Sequence, residues 1–193
     1  MKIVGVGCAP GLMTEQAIHA LGSAMVIYGS ERSIAIARPY LSPVCTIKTI
    51  DDYKRLRELP EDAVVLSTGD PMLAGLGYLP GEVICGISSL QLATARLHVP
   101  LARVAIVVAH GTGHEMAIKE TCEEIGRKKI VFLLTDPKFD VATLYSRLAN
   151  AEGPVRIAVC EDLGYPDERI STGTLECPPV PRSGMYSMLI GNF

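Results

Sequence analysis

The sequence has no Cys-x-x-Cys pair, no run of Lys or Arg, and no apolar run near the roughly 20 residues needed to cross a bilayer. Its six cysteines, Cys8, Cys45, Cys85, Cys122, Cys160 and Cys177, stand singly. Such spacing lacks the clustered ligands of a zinc site and reads as mostly buried, reduced thiols. A formal net charge of -3 without a basic cluster gives no electrostatic reason for nucleic acid as a partner, although it leaves anionic small molecules open. The first apolar stretch lacks the charged start, long hydrophobic middle and small-residue cleavage site of a signal peptide. A cytoplasmic protein without a membrane partner is expected. His110 and His114 are four apart, but Gly111 and Gly113 work against the helix that would aim both rings at one ion, so no protein metal site is expected. Internal repeats and low-complexity tails are also missing.

What is present is enough for a core: 193 residues, 48% of them hydrophobic, make one large or two small domains. Strand patterns over 2–7, 25–28, 44–47, from Val64 onward and over 82–85 alternate with helical patterns over 14–21, 31–37, 51–59 and 89–97. That alternation with short links predicts an α/β layer with a mainly parallel sheet. Pro100 interrupts the pattern, so residues 1–98 are read as an N-terminal domain, 99–103 as a linker and 104–193 as a C-terminal domain. The second half restarts with a strand over 104–109, a loop through 110–114 and a helix over about 116–125. A strand over 129–134, the turn Thr135-Asp136-Pro137, a helix over 140–149 and a strand over 155–160 follow. The proline-rich end, with strands over 170–174 and 186–190, predicts antiparallel pairing and hence a mixed sheet.

Three glycine-bearing stretches carry the chemistry. In Ser67-Thr68-Gly69-Asp70-Pro71 an apolar strand stops abruptly, because Pro71 has no amide hydrogen for a ladder and Asp70 closes turns through its side chain. Asp70 therefore has two readings, a turn cap or a carboxylate facing a cationic ligand. Gly5-Val6-Gly7-Cys8-Ala9-Pro10-Gly11 precedes a helix as a dinucleotide loop would, but Gly11 comes four after Gly7 with Pro10 between, so the Rossmann fingerprint fails. Gly86-Ile87-Ser88-Ser89 is a turn that caps the helix after it.

In this order and at these distances, Gly5-Val6-Gly7 with Leu12-Met13-Thr14, Ser67 to Pro71, and Gly86 to Ser89 resemble the tetrapyrrole methylase family. Cys160-Glu161-Asp162-Leu163-Gly164-Tyr165-Pro166-Asp167-Glu168-Arg169-Ile170, followed by Gly173-Thr174, is similar to the cobalamin-pathway branch that methylates C5 of a precorrin. Val107-Val108-Ala109-His110-Gly111 resembles that branch's His-Gly loop. Nearly the whole chain is covered, and its length matches a stand-alone C5 enzyme without a fused C15-methylating, decarboxylating domain. Three places depart from the pattern. Cys8-Ala9 replaces Pro-Gly in a first loop about one residue shorter, Cys85 stands where proline commonly precedes the Gly-x-Ser-Ser turn, and Thr112 stands where arginine often follows the His-Gly pair.

The resemblance implies two α/β domains, the N-terminal sheet mainly parallel and the C-terminal one mixed, with S-adenosylmethionine folded in a cleft between them and S-adenosylhomocysteine as product. By position it places Gly7, Cys8, Thr68, Gly69, Asp70, Leu73, Ser88 and Ser89 around the cofactor, with Leu134 or Thr135, Cys160 and Met188 from the second domain. By residue type alone, Leu134, Cys160 and Met188 are ordinary core residues. Methyl transfer from a sulfonium to carbon needs no covalent protein nucleophile, so the catalytic candidates are Asp70, to orient the cofactor, and His110, to touch substrate or move a proton. Arg103 and Lys138 stand beside expected loops as candidates for substrate carboxylates. The expected partners are a precorrin or cobalt-precorrin and a second copy of the chain in a homodimer. Competing readings keep the fold with another acceptor, either a different corrin carbon or the diphthamide precursor, or make the chain a nucleotide-binding regulatory module.

Overall fold

The structure is a computed structural model describing residues 1–111 and 113–193. The chain forms two compact units, Met1–Ser89 and Leu90–Phe193. In the first, β1 (Lys2–Gly5), β2 (Val26–Gly29), β3 (Thr46–Thr49), β4 (Val64–Ser67) and β5 (Glu82–Ile84) form one sheet in the order β3-β2-β4-β1-β5. Every neighbouring pair in it is parallel. A parallel sheet needs crossovers, which lay elements over its faces and leave the central strands buried on both sides. Alternation along the strands shows this directly. Val4, Ile27, Val64 and Leu66 pack with Ala17 and Leu21 of α1 (Glu15–Gly22) and Ile34 and Ala37 of α2 (Glu31–Ala37). Ile3 and Val65, one residue out of step, pack instead with Leu56 and Leu79.

Two expected elements differ. The segment over 51–59 is a 3-10 helix, Tyr53–Glu58, whose start is set by the Asp52 carboxylate accepting from the Lys54 amide at 2.9 Å. Leu56 is its only buried residue, too little apolar surface to hold an α-helical stripe. β3 begins at Thr46 rather than Val44, and all four of its residues are exposed. An edge strand without a buried face has no hydrophobic pattern to fix its register.

In the second unit β6 (Val104–Val108), β7 (Ile130–Leu134), β8 (Arg156–Glu161), β9 (Arg169–Thr174) and β10 (Tyr186–Gly191) form a sheet in the order β6-β7-β10-β8-β9. β6 and β7 are parallel, and β10 runs antiparallel to β7 and β8, as β9 does to β8. The sheet is therefore mixed, as the proline-rich end predicts. Val107, Leu133, Val159 and Met188 pack with Ala117 and Ile118 of α3 (His114–Gly126) and Leu144 and Leu148 of α4 (Val141–Leu148). The helix Ser89–Arg96 carries the chain from the first unit into the second, and 99–103 lies inside the second, with Leu101–Arg103 as a 3-10 turn. Among the described residues, no helix is long and apolar enough to cross a membrane.

Candidate functional site

β4, β1 and β5 are adjacent and parallel, so the loops that follow them leave from the same end of the sheet. These are the three glycine stretches. Gly7 and Gly69 exchange backbone hydrogen bonds, 2.8 Å from the Gly69 amide and 3.3 Å from that of Gly7. The Cys8 amide donates to the Ile87 carbonyl at 2.9 Å, and the Ile87 amide to the Leu12 carbonyl at 3.2 Å. Side chains are excluded where the loops cross. A Cβ on Gly86 would lie 2.3 Å from the Gly69 carbonyl oxygen, and one on Gly5 would lie 2.5 Å from the Gly86 amide nitrogen. Gly7 and Gly69 have φ of +79 and +73, a region that only glycine adopts readily.

Asp70 performs the cap that its sequence suggests. Its Oδ1 accepts from the Met72 amide at 2.8 Å, starting the short helix Pro71–Ala74, and its Oδ2 accepts from the Gly86 amide at 3.2 Å. A carboxylate has about four lone-pair sites, so each oxygen keeps one for another partner. Around it, Ser88 is 2% exposed and packs beside Gly69, while Thr68, Leu73 and Ser89 are half-buried. The structure thus gathers Gly7, Cys8, Gly69, Asp70 and Ser88 in one backbone-dense cluster. It leaves room at the first loop's tip, because a Cβ on Gly11 would meet no atom within 4 Å.

In the second unit, Leu134, Ser187 and Cys160 are cross-strand neighbours in one row of the sheet. Met188, one residue on, pairs with Leu133 and Val159 and sends its side chain into the core under α3 and α4. Thr135 is buried, its hydroxyl donating to the Tyr186 carbonyl at 2.6 Å. Burial first, then the charges of Glu168 and Glu161, push the Cys160 thiol up to about 12, so it stays protonated and unreactive.

A network that the sequence reading passed over centres on Asp136, treated there only as part of a turn. Its Oδ2 accepts from the Gly111 amide at 2.7 Å and contacts His114 Nε2 at 3.0 Å, and its Oδ1 accepts from the Lys138 amide at 2.8 Å. Burial pushes the carboxyl up, but these hydrogen bonds outweigh it and hold the group at about 2. The repeat of Asp-Pro after a strand, at Asp70-Pro71 and again at Asp136-Pro137, was the available signal. His114 is therefore a partner of Asp136, and its ring meets that of Phe139 edge-on at 5.5 Å. His110 is exposed, with Nδ1 3.3 Å from the Thr135 carbonyl oxygen. Lys138 follows the same corner, whereas Arg103 precedes β6, at the opposite end of that strand from His110, and donates to the Asn192 carbonyl at 3.1 Å. Thr112 lies outside the described residues.

Glu161, 1% exposed, anchors the segment that resembles the C5 branch. It accepts from the Arg182 and Ser183 amides and forms an ion pair with Arg169. Glu168 closes the same segment on the Gly164 amide at 2.7 Å and on Arg96 Nε at 2.6 Å.

Compared with known proteins, residues 2–178 match the model of the tetrapyrrole (corrin/porphyrin) methylases. The chain belongs to this family. It is 30% identical to the probable cobalt-precorrin-7 C(5)-methyltransferase of Methanocaldococcus jannaschii, over 90% of this chain and 89% of that protein. The crystal structure of a cobalamin-biosynthesis precorrin-6Y methylase from Archaeoglobus fulgidus superposes with a TM-score of 0.75 at 29% identity, covering 99% of this chain and 96% of that one. A uroporphyrin-III C-methyltransferase from Thermus thermophilus, crystallised with S-adenosylhomocysteine, shares the fold. It has a TM-score of 0.71 at 20% identity, over 98% of this chain and 96% of that one. Tetrapyrrole methylases take their methyl group from S-adenosylmethionine.

Proposed function

We propose that this tetrapyrrole methylase transfers a methyl group from S-adenosylmethionine to C5 of a precorrin or cobalt-precorrin in cobalamin biosynthesis. The observation that carries the reading is the convergence of three loops at the carboxyl ends of adjacent parallel strands, where open α/β sheets take their ligands. The relative in Methanocaldococcus and the segment from Cys160 to Ile170 support C5 as the acceptor position. Bound cofactor supplies an electrophilic methyl on a sulfonium. Gly7, Cys8, Thr68, Gly69, Asp70, Leu73, Ser88 and Ser89 hold it from the first unit, with Leu134, Thr135 and Cys160 as the contribution of the second; Met188, whose side chain packs in the core, is left out of the set. The open lone pairs of Asp70 face the cationic part of the ligand while its cap bonds keep the carboxylate fixed. Holding two large reactants in line is the main catalytic lever, and is worth up to about 7 to 11 kcal/mol in favourable cases. The Thr135 carbonyl can only accept, so its contact selects the His110 tautomer with hydrogen on Nδ1 and leaves the Nε2 lone pair to take a proton from substrate. A homodimer belongs to the same proposal.

The deciding experiment incubates the purified protein with labelled cofactor and candidate precorrins and locates the new methyl by NMR. Methyl at C5 is expected, and methyl at another carbon would replace the acceptor while keeping the class. Calorimetry should show S-adenosylhomocysteine bound in preference to NAD or ATP. The opposite preference would favour a nucleotide-binding module.

A further inference from the structure

The structure shows what holds the first glycine loop. β2 ends at Gly29 and the chain turns at once into α2, where the Ser30 hydroxyl caps the helix by accepting from the Ser33 amide at 3.2 Å. The turn is close-packed, since a Cβ on Gly29 would lie 2.6 Å from Ser33 Oγ. α2 is fixed further by Ile34, Ile36 and Ala37 in the core. From the first turn of this rigid helix Arg32 reaches across to the first loop, and its Nη2 donates to the Cys8 carbonyl oxygen at 2.5 Å. The residue is thus held from two sides, its amide on Ile87 and its carbonyl on Arg32. A hydrogen bond from a guanidinium to a carbonyl is charge-assisted and stronger than a neutral one.

We infer that Arg32 is a positioning residue of the cofactor site: through the Cys8 carbonyl it sets the path of the first loop, and so the affinity for the S-adenosyl group. The inference rests on the cofactor reading above. It differs from a role in substrate recognition, in which the same guanidinium would bind a precorrin carboxylate itself. The two roles separate in kinetics, because a loop-positioning cation acts on the cofactor and a carboxylate-binding one on the macrocycle.

The test uses Arg32→Met, which keeps the apolar stem, and Arg32→Lys, which keeps a cationic donor with different geometry. Calorimetry with S-adenosylhomocysteine should show Kd raised about tenfold in Arg32→Met and by less in Arg32→Lys. The KM for S-adenosylmethionine should rise in parallel, with the KM for precorrin unchanged. The thermal midpoint of the ligand-free protein should stay within about 2 °C of the parent, which a purely structural role would not allow alongside the affinity loss. Unchanged affinity in both variants, or a rise confined to the precorrin KM, overturns the inference. Failure of the parent protein to bind S-adenosylhomocysteine at all overturns the cofactor reading instead, and the inference with it.

Discussion

The two units each turn the end of a buried strand with Thr, Asp and Pro, and the two corners are built alike. At both, one carboxylate oxygen accepts from the amide two residues on, Met72 in the first unit and Lys138 in the second. At both, the other oxygen reaches across to a glycine amide in a neighbouring loop, Gly86 or Gly111. The surroundings differ. Asp70 sits in a cluster held mainly by backbone hydrogen bonds, where Gly5, Gly7, Gly69 and Gly86 let main chains touch. Asp136 is joined by the His114 side chain, and its unit repeats the device with Glu161 and Glu168, both carboxylates that receive backbone amides. The first corner is thus specified by missing side chains and the second by charged ones, so a methyl group should damage one and acid the other.

The largest effect is expected at Gly86→Ala. The new methyl would press on the main chain of both Gly69 and Gly5, neither of which is a side chain that can swing away, so a loss of about 3 kcal/mol is expected. Denaturant unfolding of the variant measures it. A loss below about 0.5 kcal/mol would show that the loops have slack and that close approach does not define the first corner.

Asp136→Asn should cost about 2 kcal/mol at neutral pH, because an amide cannot accept from Gly111, His114 and Lys138 together. The acid profile sharpens the point. The Asp136 carboxyl is held at about 2 against an ordinary 3.8. Its pairing therefore stabilises the fold fully above pH 3.8, and this contribution disappears as pH falls through about 2. Stability measured from pH 5 to 2 should fall less steeply in the variant than in the parent. Parallel profiles would remove Asp136 as the acid-sensitive group.

The smallest change is expected for Asp70→Asn, about 1 kcal/mol, since one amide acceptor still serves Met72 and only the Gly86 contact turns unfavourable. A larger loss than at Asp136 would reverse the ranking of the two corners. Methyl-transfer kinetics on the same variant examine the cofactor-orienting role separately, because that role demands lost turnover well beyond the stability change.

The order of strands and helices and the mixed character of the second sheet were readable because they depend on local periodicity, on Gly and Pro placement, and on turn caps such as Asp70. The three loops were readable for a similar reason, since glycine at a crossing and proline after a strand leave marks in the chain itself. Edge strand β3, with no buried face, had no pattern to read, and the segment 53–58 had only Leu56 to bury, so both shifted in place or type. Arg32 on Cys8, Glu161 on Arg182 and Ser183, and Asp136 on Gly111 were set by folding alone. Each joins groups 21 to 25 positions apart, and a charged side chain gives no local signal of which distant amide or carbonyl it will meet once the strands have fixed their register.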